Sequence, residues 1–178
     1  DFTSFLGIKF ERDEKAGTLT MTQRGLIDRI IDVTGMANCN PNWTPATSAT
    51  LSSDPDGEPM TEDWNYRSVI GMFLYLSTNT RPDIAFAVSQ VARFSNSPKA
   101  SHSTAVKTIV RYLVRTIDKG TIVKPRTGKL DFKLWVDADF MGLYNREPDA
   151  DLNSARSRTG YVLTLGGFPL IWKSQLQT

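Results

Sequence analysis

The spacing of apolar residues changes near Gly120, and this change limits the folds that the chain can adopt. Between Gln23 and Gly120, outside residues 38–63, apolar residues recur every third or fourth position, which is typical of amphipathic helices. After Gly120 they alternate with polar residues, which is typical of strands. The 178 residues suffice for one ordinary domain or two small ones. The pattern therefore predicts an α+β chain with a boundary within residues 121–129.

Three strands are predicted after this boundary. Leu130–Asp137 alternates clearly, and Gly160–Leu165 and Phe168–Trp172 form two further β-prone runs. Gly166-Gly167 joins the last two runs, and two glycines between strands are a strong hairpin signal. Residues 144–158, which are rich in charge, are expected to form a long surface loop.

The N-terminal residues predict a β-hairpin followed by a helix. Phe5–Phe10 is apolar and β-prone, and Thr18–Thr22 alternates at period two, so the two segments are expected to pair. From Gln23 the period becomes helical, and Gly35 is expected to end this helix. Residues 38–63 are rich in Pro, Asn, Ser, Thr and Asp, as in a surface loop or linker.

Three more helices are predicted before the boundary. The first covers about residues 62–79, and the second opens at Arg81-Pro82-Asp83, where Pro suits the first turn of a helix. The third begins near Ser101 or Ser103, either of which could cap it, and is expected to end at Gly120.

The composition excludes several classes of protein. Cys39 is the only cysteine and His102 the only histidine, which excludes an internal disulfide and every zinc motif and favours a reducing, intracellular compartment. No run of eighteen apolar residues exists, and the first residues do not form a signal peptide, so no membrane partner is expected. The absence of an initial Met suggests a piece of a longer protein. For His102 we expect a capping or packing role rather than catalysis.

Charge is unevenly distributed along the chain, although the net charge is only +2. Residues 81–126 contain nine basic and two acidic residues, a local charge of +7, whereas residues 54–63 contain five acids and no base. A chain polarised in this way can present a basic surface to a polyanion.

Four of these basic residues, Lys107, Arg111, Arg115 and Lys119, recur every four positions on the third of these helices, and no acid lies between them on that helix face. We call them the basic stripe. Residues four apart lie nearly above one another, so the stripe could meet the phosphates of a duplex in a sequence-independent, salt-sensitive way. A solvated helix face opposite the core explains the same spacing, and the spacing alone does not decide between the two.

Asp137 and Asp139 form a pair of acids at the end of a predicted strand. On an extended chain their side chains share a face and could bind a divalent cation together. Two-metal phosphodiester chemistry needs several converging carboxylates, of which this pair is a part. Two acids that end a strand at a solvated edge are the more frequent explanation of such a spacing.

Several strings of residues, taken in order, resemble the polyprotein of copia-type LTR retrotransposons. The resemblance runs from the C-terminal part of the reverse transcriptase into the start of ribonuclease H, where the family more often has Trp at the position of Phe140. It covers nearly the whole chain and is carried by Phe5-Leu6-Gly7-Ile8, Tyr66-Arg67-Ser68-Val69-Ile70-Gly71, Thr80-Arg81-Pro82-Asp83-Ile84, Asp137-Ala138-Asp139-Phe140, Ser157-Arg158-Thr159-Gly160-Tyr161-Val162 and Trp172-Lys173-Ser174.

The resemblance implies three regions: residues 1–24 as the end of the palm with the primer-grip hairpin, 25–122 as a helical thumb or connection, and 128–178 as the N-terminal part of a ribonuclease H-like sheet. Nucleic-acid contacts are then expected from two groups. These are the primer-grip residues Phe5, Leu6 and Gly7, and the basic stripe, which would lie along the RNA–DNA hybrid.

The resemblance also implies an incomplete catalytic centre. Asp137 matches the first metal-binding carboxylate of ribonuclease H, and Asp139 belongs to the same motif. Mg²⁺ is expected for the intact parent and not for this piece, because the other carboxylates of both active sites lie outside these residues in the family.

Three functions stay open at this point. The chain is expected to be a nucleic-acid-handling piece of a retroelement polyprotein, with the rest of that polyprotein as a partner. A degenerate or domesticated copy that serves only as a binding or interaction module is the alternative. A stand-alone hydrolase would need further carboxylates, such as Asp149 and Asp151.

Overall fold

A computed structural model describes residues 3–47, 51–124, 131–139 and 156–177 of the chain. These residues form a mixed α/β structure with four α-helices and two antiparallel sheets. The expected combination of helices and antiparallel strands is confirmed. A ribonuclease H-like arrangement of the second sheet and the division into three regions stay predictions.

The first sheet has four strands in the order β1-β2-β3-β4, namely β1 Ser4–Phe5, β2 Ile8–Asp13, β3 Thr18–Thr22 and β4 Thr121–Val123. The predicted pairing of the two N-terminal segments is confirmed, but the expected single strand over residues 5–10 is wrong. It turns back at Leu6 and Gly7, which both have positive φ, so that Phe5 pairs with Ile8. The spacing did not predict β4, which follows the last helix and pairs with β3.

The helices are α1 Arg24–Val33, α2 Tyr66–Asn79, α3 Ala85–Ala92, which follows a 3₁₀ turn at Pro82–Ile84, and α4 Ala100–Arg115. The four predicted helices are therefore present. Their apolar faces meet in one core, which excludes water from the contacts between helices. Its fully buried members include Ile27, Ile30, Val69, Phe73, Leu76, Ile84, Val106, Val110 and Leu113.

Two of the predicted helix starts are wrong. The helix predicted from residue 62 begins at Tyr66, because Asn65 caps it by accepting a hydrogen bond from the Ser68 amide at 2.9 Å. At the start of α4 the cap is Lys99 rather than a serine. The buried His102 imidazole accepts the Lys99 amide through Nδ1 at 2.9 Å, which confirms the capping role expected for it.

Gly120 does not end α4, contrary to the sequence expectation, because the helix stops at Arg115. Gly120 instead lies against β3, where a Cβ atom would come within 2.0 Å of the Met21 carbonyl oxygen. Its missing side chain therefore lets the chain enter β4 beside β3.

The second sheet has the order β5-β6-β7, with β5 Phe132–Ala138, β6 Arg158–Leu165 and β7 Phe168–Leu176. All three predicted strands are confirmed, and Gly166-Gly167, both at positive φ, forms the predicted turn. Two side chains of this sheet contact the helices. The Trp172 indole donates to the Ser77 carbonyl at 2.7 Å, and the Arg158 guanidinium donates to the Ser89 hydroxyl at 2.7 Å.

A buried polar network joins the ends of α2 and α4. The Arg81 side chain, 1% exposed, donates to both carboxylate oxygens of Asp83 and to the carbonyl and hydroxyl of Thr116. The Tyr112 hydroxyl donates to the same Asp83 carboxylate at 2.7 Å. Burial by itself would raise the pKa of Asp83, but these hydrogen bonds and the charge of Arg81 outweigh it and hold the pKa below its usual range.

We expect Asp83→Ala to reduce the free energy of unfolding by about 3 kcal/mol, because it leaves the buried Arg81 charge without its counterion. Since the pKa of Asp83 is lowered on folding, its contribution is complete above the unfolded pKa and is lost as the pH falls through the folded pKa. Urea denaturation at neutral and acidic pH should therefore show a smaller acid-induced loss in Asp83→Ala than in the wild type.

Asp28→Ala is the matched control, since Asp28 is an exposed acid whose nearest cation lies at 3.9 Å. It should change stability by no more than about 0.5 kcal/mol. Equal losses in the two variants would contradict the structural role given to the Arg81–Asp83 pair.

Candidate nucleic-acid interface

The basic stripe lies on α4 and just beyond its end, and three of its four side chains have partners within the chain. Lys107 forms an ion pair with Glu62 at 2.5 Å, and Arg111 donates to the Asn40 carbonyl at 2.6 Å. The Arg115 guanidinium lies 3.0 Å from the centre of the Trp43 ring. The stripe carries no acid on its own helix, but residues 40–62 supply the counterion and the other two contacts.

These contacts belong to a longer region of packing against α4. We use the term docked segment for residues 38–47 and 51–63, which have no helix or strand apart from a bridge between Pro59 and Lys99. The expectation of an irregular connection is thus confirmed, but the segment is fastened along α4. The hydrogen bonds that hold it join Lys99 to the Gly57 carbonyl, Ser101 to Asp54, His102 to the Ser52 carbonyl, Ser103 to Glu62, and the Asn42 backbone amide to the Arg111 carbonyl.

Glu62 is the acid of the docked segment that pairs with a cation of the basic stripe. Partial burial by itself would raise the pKa of its carboxyl, but hydrogen bonds from Lys107 and Ser103 and the charge of Lys107 lower the pKa overall. Glu62 therefore stays ionised over a wide pH range and neutralises Lys107. The cationic character of the stripe is left to its C-terminal end, where Arg115 and Lys119 are exposed. Within the described residues neither of these two has a carboxylate partner.

The second group of sequence-predicted contacts, Phe5, Leu6 and Gly7, lies at the tight turn between β1 and β2. Phe5 and Leu6 are exposed large apolar side chains. The Tyr75 hydroxyl of α2 donates to the Leu6 carbonyl at 2.7 Å, which fastens the turn to the helices. Leu6 holds a φ of 49°, in the left-handed region that leucine rarely adopts, so this anchor helps to keep a strained turn in place.

Asp137 and Asp139 are near each other in sequence but have different environments. Asp137 lies in the exposed strand β5, opposite Gly160 of β6. Asp139 follows the strand, and one of its carboxylate oxygens accepts the backbone amide of Arg158. Its own amide donates to the Arg158 carbonyl at 3.1 Å.

The described residues do not fit a metal centre by themselves. No group of three or more His, Cys, Asp or Glu side chains that could hold a metal occurs among them. One carboxylate oxygen of Asp139 is engaged by the Arg158 backbone amide, so its other oxygen and the Asp137 carboxylate are the groups of this pair that are open to a metal. Asp149 and Asp151, the further carboxylates that a stand-alone hydrolase would need, lie outside the described residues.

Three side chains of this interface were missed by the sequence analysis. Glu62 and Tyr75 act through residues far away in the chain, and neither has a local signal. Trp43 is a large aromatic side chain that is 75% exposed, and no local pattern predicts its contact with Arg115. In the stretches that the structure describes, no helix is long and apolar enough to cross a membrane.

The helices, the two antiparallel sheets and the family strings together define a segment of a retroelement polyprotein. Comparison with known proteins identifies the family. The chain is 32% identical to the retrovirus-related Pol polyprotein from transposon RE1 of Arabidopsis thaliana, over 97% of this chain and 11% of that protein. It is 34% identical to the corresponding polyprotein from transposon TNT 1-94 of Nicotiana tabacum, over 97% and 13%.

The chain belongs to the retrovirus-related Pol polyproteins of copia-type transposons, as the resemblance implied. It spans only about an eighth of the length of these relatives. A third relative is much shorter: the secreted RxLR effector protein 161 of Plasmopara viticola is 35% identical over 112 residues, which are 63% of this chain and 72% of that protein. No family model and no solved structure matches the chain.

We expect Glu62→Ala to loosen the docked segment, because Lys107 and Ser103 lose their common acceptor. With Lys107 partly exposed, the loss should be about 1 kcal/mol, which is roughly a fivefold rise in the population of the opened segment. Limited proteolysis within residues 51–63 should be faster by that factor. Because the pKa of Glu62 is lowered on folding, the cleavage rate of the wild type should rise to that of the variant only as the pH falls through that folded pKa.

Glu11→Ala serves as the control, since Glu11 also pairs with a lysine, Lys9, on the exposed surface of β2. Its effect on cleavage within residues 51–63 should be negligible. Unchanged cleavage in Glu62→Ala would show that the ion pair does not hold the segment.

Proposed function

We propose that this chain contacts the primer–template duplex, an RNA–DNA hybrid, that its parent polyprotein handles during reverse transcription. The observation that carries the proposal is the pair of exposed cations, Arg115 and Lys119, at the end of α4. They lie where the first sheet joins the helices, since Lys119 immediately precedes Gly120 and β4. Family membership supports a nucleic-acid partner, but the contact itself is a proposal.

The two cations would bind backbone phosphates, which gives affinity without sequence preference. Lys107 contributes little, because Glu62 already neutralises it. Arg111 also contributes less than its charge suggests, because it is bonded to the Asn40 carbonyl. The proposed interface is therefore the C-terminal half of the basic stripe.

The turn at Phe5, Leu6 and Gly7 would hold the end of the primer. The bond from Tyr75 fixes the turn on α2, so a bound strand would meet a preformed surface rather than a loose hairpin. Preorganisation of this kind reduces the ordering cost of binding.

Catalysis is assigned to the parent rather than to these residues. Asp137 would supply the first carboxylate of a ribonuclease H centre, and other parts of the polyprotein would supply the remaining Mg²⁺ ligands. A binding role is thus the function that the described residues support best.

The rest of the polyprotein is proposed to cover the second sheet. β5 is an edge strand, and its apolar residues are exposed on both faces, including Leu134, Trp135 and Val136. Exposed edges with apolar side chains favour pairing with further chain.

A second candidate is an interaction module detached from the polyprotein. The short RxLR effector supports it, because it shows that a related segment occurs in a protein much smaller than a Pol polyprotein. The coding sequence around this chain separates the two candidates. Intact polymerase and ribonuclease H motifs on both sides favour the polyprotein segment, and interrupted ones favour the module.

Binding to an RNA–DNA hybrid should weaken with salt with a logarithmic slope of about −2, because two phosphates are neutralised. If all four stripe residues contacted phosphates, the slope would be about −4. Replacing Arg115 and Lys119 together with Ala should remove most of the salt dependence, whereas Lys107→Ala should change it little. Fluorescence anisotropy over a salt series measures the affinity of each variant and the slope of its salt dependence.

Lys133→Ala is the control, since Lys133 is an exposed lysine on β5, away from α4. It should leave the slope unchanged. An unchanged slope in the Arg115 and Lys119 double variant, or no binding by the wild type at low salt, would contradict the proposed function.

A further inference from the structure

Trp43 is a large apolar side chain that the fold leaves in solvent. It is 75% exposed, the highest value among the exposed large apolar side chains of the described residues. Burying an aromatic side chain of this size is a major source of folding free energy. The fold does not bury Trp43 in this way, so its ring is available to a ligand.

The backbone around Trp43 is nevertheless held firmly. The Asn42 backbone N–H donates to the Arg111 carbonyl at 3.1 Å, which fixes this point of the docked segment on the last turns of α4. The Asn42 side chain then accepts the Trp43 amide at 3.0 Å and donates to the Thr44 carbonyl at 3.1 Å. The exposed ring therefore projects from a fastened turn.

One face of the ring is backed by a cation. The Arg115 guanidinium carbon lies over it, 3.0 Å from the ring centre, in a cation–π contact. Since the ring is three-quarters exposed, it remains accessible to a ligand. Lys119 lies four residues further along the chain, beyond the end of α4, and adds a second exposed positive charge.

We propose that Trp43, backed by Arg115, stacks an unpaired nucleobase, so that the chain prefers a single-stranded end or a duplex–overhang junction to a blunt duplex. This inference rests on the proposed function and adds the structural feature that the nucleic acid must have. A nucleobase supplies a flat π-face for the ring, and its phosphate supplies a negative charge for the neighbouring cations. Inside a duplex both faces of each base are already stacked, so a blunt hybrid offers the ring a face only at its two terminal base pairs.

A protein partner fits this surface less well. Trp and Arg are enriched at protein hot spots as well, whereas Lys is depleted from protein interfaces. Trp43 lies directly on an arginine, with a further exposed cation close by in the chain. An anionic ligand with a flat apolar face matches this combination.

The test compares an RNA–DNA hybrid that has a single-stranded RNA overhang with the same hybrid made blunt, using fluorescence anisotropy and the whole chain. Trp43→Ala should weaken overhang binding by about 5- to 150-fold, the range that loss of one stacked base predicts. It should change blunt-hybrid binding far less. Trp43→Phe should restore part of the preference, because phenylalanine keeps a smaller π-face.

Trp135→Ala is the matched control, since Trp135 is 64% exposed on β5. Its overhang preference should equal that of the wild type. The inference is overturned if Trp43→Ala keeps the overhang preference, or if the wild type binds both hybrids equally. The proposed function survives in those two cases. If the wild type binds neither hybrid at low salt, both are overturned.

Discussion

The helical part of this protein depends on the buried guanidinium of Arg81. A charge that is 1% exposed must have partners for its hydrogen bonds, and here they come from Asp83 and Thr116. The end of α2, the 3₁₀ turn and the end of α4 are thereby held at one place. The network continues through Thr80, whose hydroxyl donates to Gln23 before α1 and whose carbonyl accepts from Thr121 of β4. The first sheet is thus fixed to the ends of three helices.

The second organising feature is the neutralisation of one charged segment by another. Residues 81–126 carry a local charge of +7, which suggested a long basic surface. The acidic residues that precede them fold back on α4, where Glu62 pairs with Lys107 and Asp54 accepts from Ser101. Much of the charge is therefore used to attach the docked segment. Within the basic stripe the charge left for a partner lies at Arg115, which contacts Trp43, and at Lys119, and this arrangement leads to the proposed stacking surface.

Local signals predicted the elements of this fold better than their ends. The Gly166-Gly167 turn and the strands beside it follow from conformational freedom and alternation, which act over a few residues. Gly120 was also a correct signal of a special position, but for a different reason than expected. It does not end α4; it allows close approach to Met21, a contact between residues about a hundred positions apart. The role of Gly120 could not be deduced from its neighbours in sequence, because the atom that excludes a side chain belongs to another strand.

The sequence by itself determined the family, the four helices, the second sheet and a capping or packing role for His102, because strings of residues, hydrophobic period and turn chemistry are local properties. Tertiary structure alone decided which charges stay available, that β4 joins β3, and that Trp43 lies exposed on Arg115. These outcomes depend on which distant groups meet, and a pairing such as Glu62 with Lys107 leaves no trace in the spacing of either residue. The physical reason is that burial and charge neutralisation are properties of the assembled chain, whereas periodicity is a property of each segment.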